Sequence, residues 1–237
     1  MWHFIFVKNI YKEMYKKKIV TLTSWPKRIN NVATVVDSLL KQDIKPDIIQ
    51  INLSQDEFKN KEDNLPKDLL LLLENNPTVH IEWVRGNDGV FKKIIPTLKK
   101  YYGEEYYLLS VDDDWIYRYD YIKMMINYLK EYESDSFCLA NSNVIGNRMI
   151  YKSSIFEKDF WEKLTPEIIS TRIDDSYIAH YMRSKKKKMA CYRPSDVLDI
   201  TQQFNPIFPN SHNELTGEYS FEEVNKAKEI IEKIVFE

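Results

Sequence analysis

Glycine is scarce in this sequence, at five of 237 residues. That scarcity excludes the glycine-rich phosphate loops, and neither G-x-G-x-x-G nor G-x-x-x-x-G-K occurs. Any phosphate bound here is expected to be held by a metal and side chains. Cysteine is scarcer still. Cys138 and Cys191 form no metal-spaced pair and read as reduced core thiols of a cytosolic protein. A net charge of -2 lacks the basic excess of a nucleic-acid binder, so no nucleic-acid partner is expected. No apolar run reaches the length of a membrane-spanning helix. The four histidines are scattered, with no H-E-x-x-H, and there is no G-x-S-x-G nucleophile elbow. A haloacid-phosphatase-type site would want a hydroxyl residue two places beyond Asp114, where Ile116 stands.

What is present is enough for one large domain or two small ones, with 43% hydrophobic and 30% charged residues. The opening "MWHFIFVKNIYKEMYKKK" differs from a signal peptide, because its charges follow the apolar stretch. Phe4, Val7, Tyr11 and Met14 recur at helical spacing beside Lys8, Lys12 and Lys16. Two readings fit: a helix lying on an anionic membrane surface, or a helix packed on its own domain.

From Lys18 the pattern alternates between strand and helix. Strands are predicted at 18–25, 46–54, 79–84 and 106–111, with helices at 29–42, 65–76 and 91–102 between them. The 65–76 segment reads as a buried helix, and the one at 91–102 as irregular at Pro96. Strands separated by single helices imply parallel pairing with right-handed crossovers, hence an α/β sandwich. Further on, helices are expected at 119–132, 173–189 and 221–235, and strands at 136–144 and 149–156. The polar, aromatic stretch 200–223 reads as an adaptable loop. No internal repeat appears.

"YYLLSVDDDWIY" (106–117) is an apolar run that ends in three acids. Adjacent carboxylates repel one another, and desolvating them is costly without counter-charge. A solvated turn would tolerate them; so would a site completed by a divalent cation and a phosphorylated ligand. In open α/β sheets ligands bind beyond the carboxyl ends of the strands. Thr23–Ser24, Ser54–Asp56 and Gly86–Asp88 fall at such ends too, so polar groups converge on one rim. Asp174 and Asp175 open a predicted helix, where acids commonly satisfy free N–H groups and the dipole. The run Lys185–Lys188 fits a solvated helix end.

The order of elements, with "VTLTSWPKRI", "NDGVFKKIIPTLKKYY", "LLSVDDDWIY" and "DDSYIAHYM", resembles the GT-A glycosyltransferases. Within them it is similar to family-2-like bacterial enzymes of surface-polysaccharide synthesis. The resemblance covers about Lys18 to Met189. It implies a mostly parallel, Rossmann-like α/β sheet flanked by helices, with a C-terminal extension on the acceptor side. The chain then divides into an N-terminal amphipathic helix (1–17), a nucleotide-sugar-binding and catalytic domain (18–200), and a C-terminal loop and helix (201–237).

The resemblance also implies roles. A diphosphate leaves readily once Mn2+ or Mg2+, bound through oxygen ligands, neutralises its charge. Asp112 would serve the ribose or a metal-bound water, Asp114 the metal, and Asp113 the variable middle position. Asp88 would meet the nucleobase, unless it is only a turn residue. Thr23, Ser24, Arg28, Lys92 and Lys93 would serve the donor nucleotide, although the lysines and Arg28 also fit a solvated face. His212 is a further metal candidate, because some GT-A enzymes draw a late histidine to the ion. Asp175 would be the general base, with Asp174 as helix cap or substrate contact. Phe204, Phe208, His212 and Tyr219 would wall the acceptor. The expected partners are a nucleotide-sugar donor, of the UDP type, and a glycan or lipid-linked glycan acceptor. The expected place is the cytoplasm, peripheral at the inner membrane face if residues 1–17 lie there. A nucleotidyltransferase and a non-catalytic sugar-nucleotide-binding protein are the rivals. The first should carry a glycine-rich opening loop, which "TSWPKRI" lacks.

Overall fold

The computed structural model describes residues 16–139, 148–192, 205–206 and 221–236. The first elements are β1 (Lys17–Thr23), α1 (Ile29–Leu40), β2 (Ile48–Ser54), α2 (Lys67–Asn75) and β3 (Val79–Val84). A 3-10 turn (Gly89–Lys93) leads into α3 (Ile95–Lys100) and β4 (Tyr106–Ser110). Next come β5 (Trp115–Ile116), α4 (Tyr121–Glu131), β6 (Ser136–Leu139) and β7 (Met149–Lys152). The rest are α5 (Asp159–Glu162), α6 (Pro166–Thr171), α7 (Asp174–Ser184), β8 (Met189–Tyr192), β9 (Asn205–Pro206) and α8 (Phe221–Phe236).

Seven strands form one sheet in the order β3-β2-β1-β4-β7-β6-β8. The first four are parallel, as their helical crossovers require. β7 runs antiparallel to both β4 and β6. Residues 140–148 are too few for a parallel crossover, which accounts for that reversal. The expected mostly parallel α/β architecture is therefore the one observed.

Successive side chains of each strand enter different layers. Val20, Leu22, Ile49, Ile51, Leu53, Tyr107, Leu109 and Val111 pack in one core with α1 and α4. Ile19, Tyr106 and Leu108 face the other core, which is built on Phe91, α3, Phe160, α7 and α8. The C-terminal helix belongs to this second core through Ile231 and Val235, which are fully or almost fully buried.

Several local expectations need correction. The 91–102 segment is a 3-10 turn and a helix that break at Ile94, not one helix disturbed at Pro96. Pro96 occupies the second position of α3, where its missing N–H costs nothing. The 65–76 helix is not buried: only Leu69 of α2 is enclosed, and Leu71 is 57% exposed. The strand expected at 149–156 stops at Lys152, and a 3-10 turn (Ser153–Ile155) follows. The helix expected to reach Met189 ends at Ser184. Lys186 adopts φ +53°, and the Lys187 N–H bonds the Met182 carbonyl at 2.9 Å, a left-handed helix stop hidden inside the lysine run. Met189–Tyr192 is then a strand, entered through mutual bonds between Asp135 and Lys188. A small second sheet pairs Trp115 with Pro206 and Ile116 with Asn205, so the late chain touches the acidic turn.

The helix expected at 1–17 lies outside the described residues except for Lys16 and Lys17, and Lys17 already opens β1. No helix among the described residues is long and apolar enough to cross a membrane.

Candidate functional site

The acids leave the sheet where β4 ends. The Val111 N–H still bonds the Thr21 carbonyl of β1 at 3.0 Å, after which the chain turns away. Tyr117, buried five residues on, closes that turn: its hydroxyl accepts from the Asp112 N–H at 2.8 Å. The Tyr117 N–H in turn donates to Ser38 Oγ of α1 at 3.1 Å. Gln42 completes the anchor, donating to the Arg118 carbonyl at 2.6 Å and accepting from the Ile122 N–H at 3.0 Å. The acidic turn is thus bolted to α1 by buried hydrogen bonds.

Each acid has a cation. Arg28, at the N-terminal cap of α1, reaches Asp113 Oδ1 at 2.6 Å and Asp114 Oδ2 at 2.7 Å. Ser24 Oγ donates to the other Asp113 oxygen at 2.6 Å. Lys93 Nζ lies 3.0 Å from Asp112 Oδ1 and 3.5 Å from Asp174 Oδ2. Asp174 belongs to α7, 62 positions downstream of Asp112 by subtraction. One ammonium therefore ties the end of β4 to the start of α7.

Electrostatics follow from this packing. Burial alone would depress the Lys93 ammonium, but Asp112, Asp174 and Asp175 outweigh it and hold it well above its ordinary value. Burial works to raise the Asp112 carboxyl, yet Lys93, Arg148 and Arg28 hold it below the usual range. Asp113 goes the other way: burial pushes it up to about 6 against the pull of Arg28 and Ser24. Asp174 is raised by burial despite Lys93. Burial and then the charge of Asp174 hold Asp175 well above the carboxylate range. Asp175 is half-buried, whereas Asp174 is buried.

A hard divalent cation prefers oxygen ligands, and this donor set is all carboxylate. Asp112 leaves 21% of its side chain exposed, and Asp114 lies behind Arg28 at 6%. Among the described residues no three such side chains already converge on one metal position. Asp112 and Asp114 would be the residues to hold a cation, which would supply positive charge beside a bound phosphate.

No protein-family model and no curated protein matches this sequence. Solved structures do match. A mannosyltransferase from Pyrobaculum calidifontis, in complex with GDP-Man and Mn2+, aligns with TM-score 0.55 at 13% identity, over 75% of this chain and 55% of that one. TarS from S. aureus, residues 1–349 in complex with UDP-GlcNAc, aligns with TM-score 0.52 at 15% identity, over 74% and 56%. The fold is of the GT-A type. The chain spans about half the length of these two glycosyltransferase chains. A 4-diphosphocytidyl-2C-methyl-D-erythritol synthase from Anaerococcus prevotii aligns with TM-score 0.50 at 12% identity, over 91% and 98%. The GT-A sheet is therefore shared with a nucleotidyltransferase, and the chemistry must be argued from the site.

The structure brings Ser24, Arg28, Lys93, Asp112, Asp113, Asp114 and Asp174 into one ion-paired cluster, with Asp175 beside it. It turns others elsewhere. Thr23 donates to the Asn52 carbonyl at 2.7 Å, and Lys92 pairs with Glu57 and with Asn87 Oδ1. Asp88 caps the 3-10 turn, its carbonyl accepting from the Phe91 N–H at 3.1 Å. His212, Phe204, Phe208 and Tyr219 lie outside the described residues. Sequence reasoning missed Tyr117 and Arg148. Arg148 is buried and sits 4.6 Å over the Trp115 ring, within electrostatic reach of Asp112. Tyr117 closes "LLSVDDDWIY" but was given no role there, and Arg148 belongs to no motif. The only signal was an arginine directly before an apolar strand.

Proposed function

We propose that this chain is a metal-dependent glycosyltransferase, moving a sugar from a nucleotide-diphosphate donor, of the UDP type, to a glycan or lipid-linked glycan hydroxyl with inversion. The observation that supports it is the meeting of two acidic motifs, from the end of β4 and the start of α7, at the carboxyl edge of a GT-A sheet. Five carboxylates (Asp112, Asp113, Asp114, Asp174, Asp175) there face three cations (Arg28, Lys93, Arg148). The surplus negative charge would be relieved by the positive charge of an added cation. Mn2+ or Mg2+ on Asp112 and Asp114 would supply that charge and take up the charge of the leaving diphosphate. Asp175 removes the proton from the acceptor hydroxyl, and Arg28 and Lys93 keep the neighbouring carboxylates in place. The Arg148 guanidinium and Trp115 ring form the floor of the donor side, while the β5–β9 pair brings the late chain alongside. In such a role the protein works at the cytoplasmic membrane face, on surface-polysaccharide precursors.

The neighbouring nucleotidyltransferase, matched over almost its whole length, supports a second reading in which the same sheet forms a sugar nucleotide. The absence of a glycine-rich first loop weighs against it.

The test is Asp175→Asn, nearly isosteric and unable to accept a proton at neutral pH. At saturating donor and Mn2+, transfer should fall by about 10²–10⁴-fold while donor affinity is kept. Asp174→Asn should cost less. A more severe Asp174→Asn reverses the assignment, and full activity in both variants removes the base and the reading with it. The donor is found first by thermal shift with nucleotide sugars, with and without Mn2+, since a ligand bound to the folded state raises the melting temperature.

A further inference from the structure

Beneath the acids lies a layer of polar side chains that no part of the reaction uses. Thr21, Gln50, Asn52 and Thr97 are each fully enclosed, on the sheet face that meets the 3-10 turn and α3. Buried amides and hydroxyls are costly unless bonded, so such a layer has to be held by partners. Gln50 Nε2 donates to Asn52 Oδ1 at 2.8 Å and to Thr97 Oγ1 at 3.0 Å. Asn52 Nδ2 reaches Thr21 Oγ1 at 3.0 Å and Thr97 Oγ1 at 3.2 Å. The Thr21 and Thr97 hydroxyls lie 2.7 Å apart.

Two members of this layer end on one atom. The carbonyl oxygen of Lys93 accepts from Thr21 Oγ1 at 2.5 Å and from Asn52 Nδ2 at 3.1 Å. Two strands therefore grip the backbone of the residue whose ammonium joins Asp112 to Asp174. Lys93 closes the 3-10 turn just before the backbone breaks at Ile94, so its direction is set by these bonds rather than by a continuous helix. A lysine head is a compact charge that can serve two carboxylates from separate elements, as a planar guanidinium cannot here. With 10% of its side chain exposed and both contacts spent on protein acids, it is poorly placed to grasp a donor phosphate.

We propose that Lys93 is a positioning residue that fixes the donor-side acid Asp112 against the α7 acids, with the Thr21–Gln50–Asn52–Thr97 layer as its mount. Its catalytic consequence rests on the glycosyl-transfer reading above, whereas the ion bridge itself does not. Misplacing a reacting group by about 1 Å is enough to slow a reaction on the order of 100-fold. Lys93 thus sets the span between leaving diphosphate and base without touching either substrate.

The experiment is a double-mutant cycle on the full chain. Lys93→Met leaves two carboxylates without their shared cation and should lower the melting temperature by roughly 10 °C. Adding Asp174→Asn should recover a substantial part of that loss, because the two changes touch one interaction. UDP with Mn2+ serves as the affinity probe, and turnover of UDP-GlcNAc or GDP-Man as the rate. In Lys93→Met, kcat should fall on the order of 10–100-fold with UDP affinity nearly unchanged, and Lys93→Arg should restore part of the melting temperature but little of kcat. Loss of UDP affinity with an unchanged melting temperature would make Lys93 a phosphate contact and overturn the proposal. So would strict additivity in the cycle. Should Lys93→Met fail to fold, Thr97→Val removes one hydroxyl of the mount at constant shape and should show the same split between kcat and affinity; a wild-type kcat there overturns the mount. If the wild type turns over neither sugar, the glycosyl-transfer reading is what suffers, and the thermal cycle still decides the bridge.

Discussion

At β2 the two faces of the central sheet are both buried, yet they are built from different chemistry. On β2, Ile49, Ile51 and Leu53 enter the core beneath α1, while Gln50, Asn52 and Ser54 enter the opposite layer. Every one of the six is fully enclosed. Alternation of apolar and polar residues usually separates inside from outside; here it separates two kinds of inside. The apolar face stabilises by area and packing, without direction. The polar face is directional, since two of its bonds specify where the Lys93 carbonyl must sit and the rest hold those two groups in place.

The comparison is broken most severely on the apolar face. Leu109→Ala removes a fully buried side chain between α1 and α4, and should cost about 2–5 kcal/mol by lost transfer energy plus the cavity left behind. The midpoint of urea unfolding should fall with its slope unchanged. Binding of UDP with Mn2+ to the fraction still folded should be that of the wild type, because Leu109 faces away from Lys93.

The polar face should respond in a different way. Asn52→Leu keeps the volume but takes a donor from the Lys93 carbonyl and an acceptor from Gln50, so it should cost roughly 1–3 kcal/mol. Replacing Thr21 and Thr97 by Val and Gln50 and Asn52 by Leu together should cost clearly less than the four single changes added. Orphaned partners disappear along with the groups that orphaned them. Catalysis should not recover in the combined variant, since nothing then aims Lys93. Equal additivity on the two faces, seen by urea unfolding, would erase the distinction.

The difference also explains what the sequence made legible. Strand and helix periods, and the apolar run before Asp112, sufficed for the parallel α/β sheet and for its ligand-binding rim. "DDD" and "DDSY" marked both acidic contributions to the cluster. The alternation of "IIQINLS" was visible too, but period alone cannot tell a solvated face from a buried polar layer, because that depends on what α3 lays over it. Arg148 carried no pattern, and Tyr117 at the end of "LLSVDDDWIY" carried no sign of its role, since both roles arise from contacts between elements distant in sequence. The stop inside "SKKKKM" was masked for a local reason. No glycine stands at the left-handed residue, and Lys186 adopts that conformation instead.

Where α5 and α7 border the second core, polar groups meet water, and there the expected effect is smallest. Tyr181 Oη donates to Asp159 Oδ1 at 2.7 Å, and Lys185 lies 2.7 Å from Asp159 Oδ2 and 2.9 Å from Glu157 Oε2. Burial works to raise the Asp159 carboxyl, but the bonds from Lys185 and Tyr181 outweigh it and hold it below its ordinary value. A carboxyl depressed in the folded state binds fewer protons there than when unfolded. Its contribution is therefore present above the ordinary carboxylate range, near pH 4, and is lost as pH falls through the folded value. Asp159 is 34% exposed, so solvent screening limits that contribution to below about 1 kcal/mol. Asp159→Asn keeps an oxygen for Tyr181 and leaves Lys185 paired with Glu157, which confines the loss further. Urea unfolding of wild type and variant should differ by a few tenths of a kcal/mol to about 1 at pH 7, and converge as pH falls through the folded value of Asp159. A difference that stays constant across this range would mean that Asp159 acts through shape or hydrogen bonding alone. A loss at pH 7 as large as that of Asn52→Leu would mean that these half-exposed polar contacts are as directional as the buried layer.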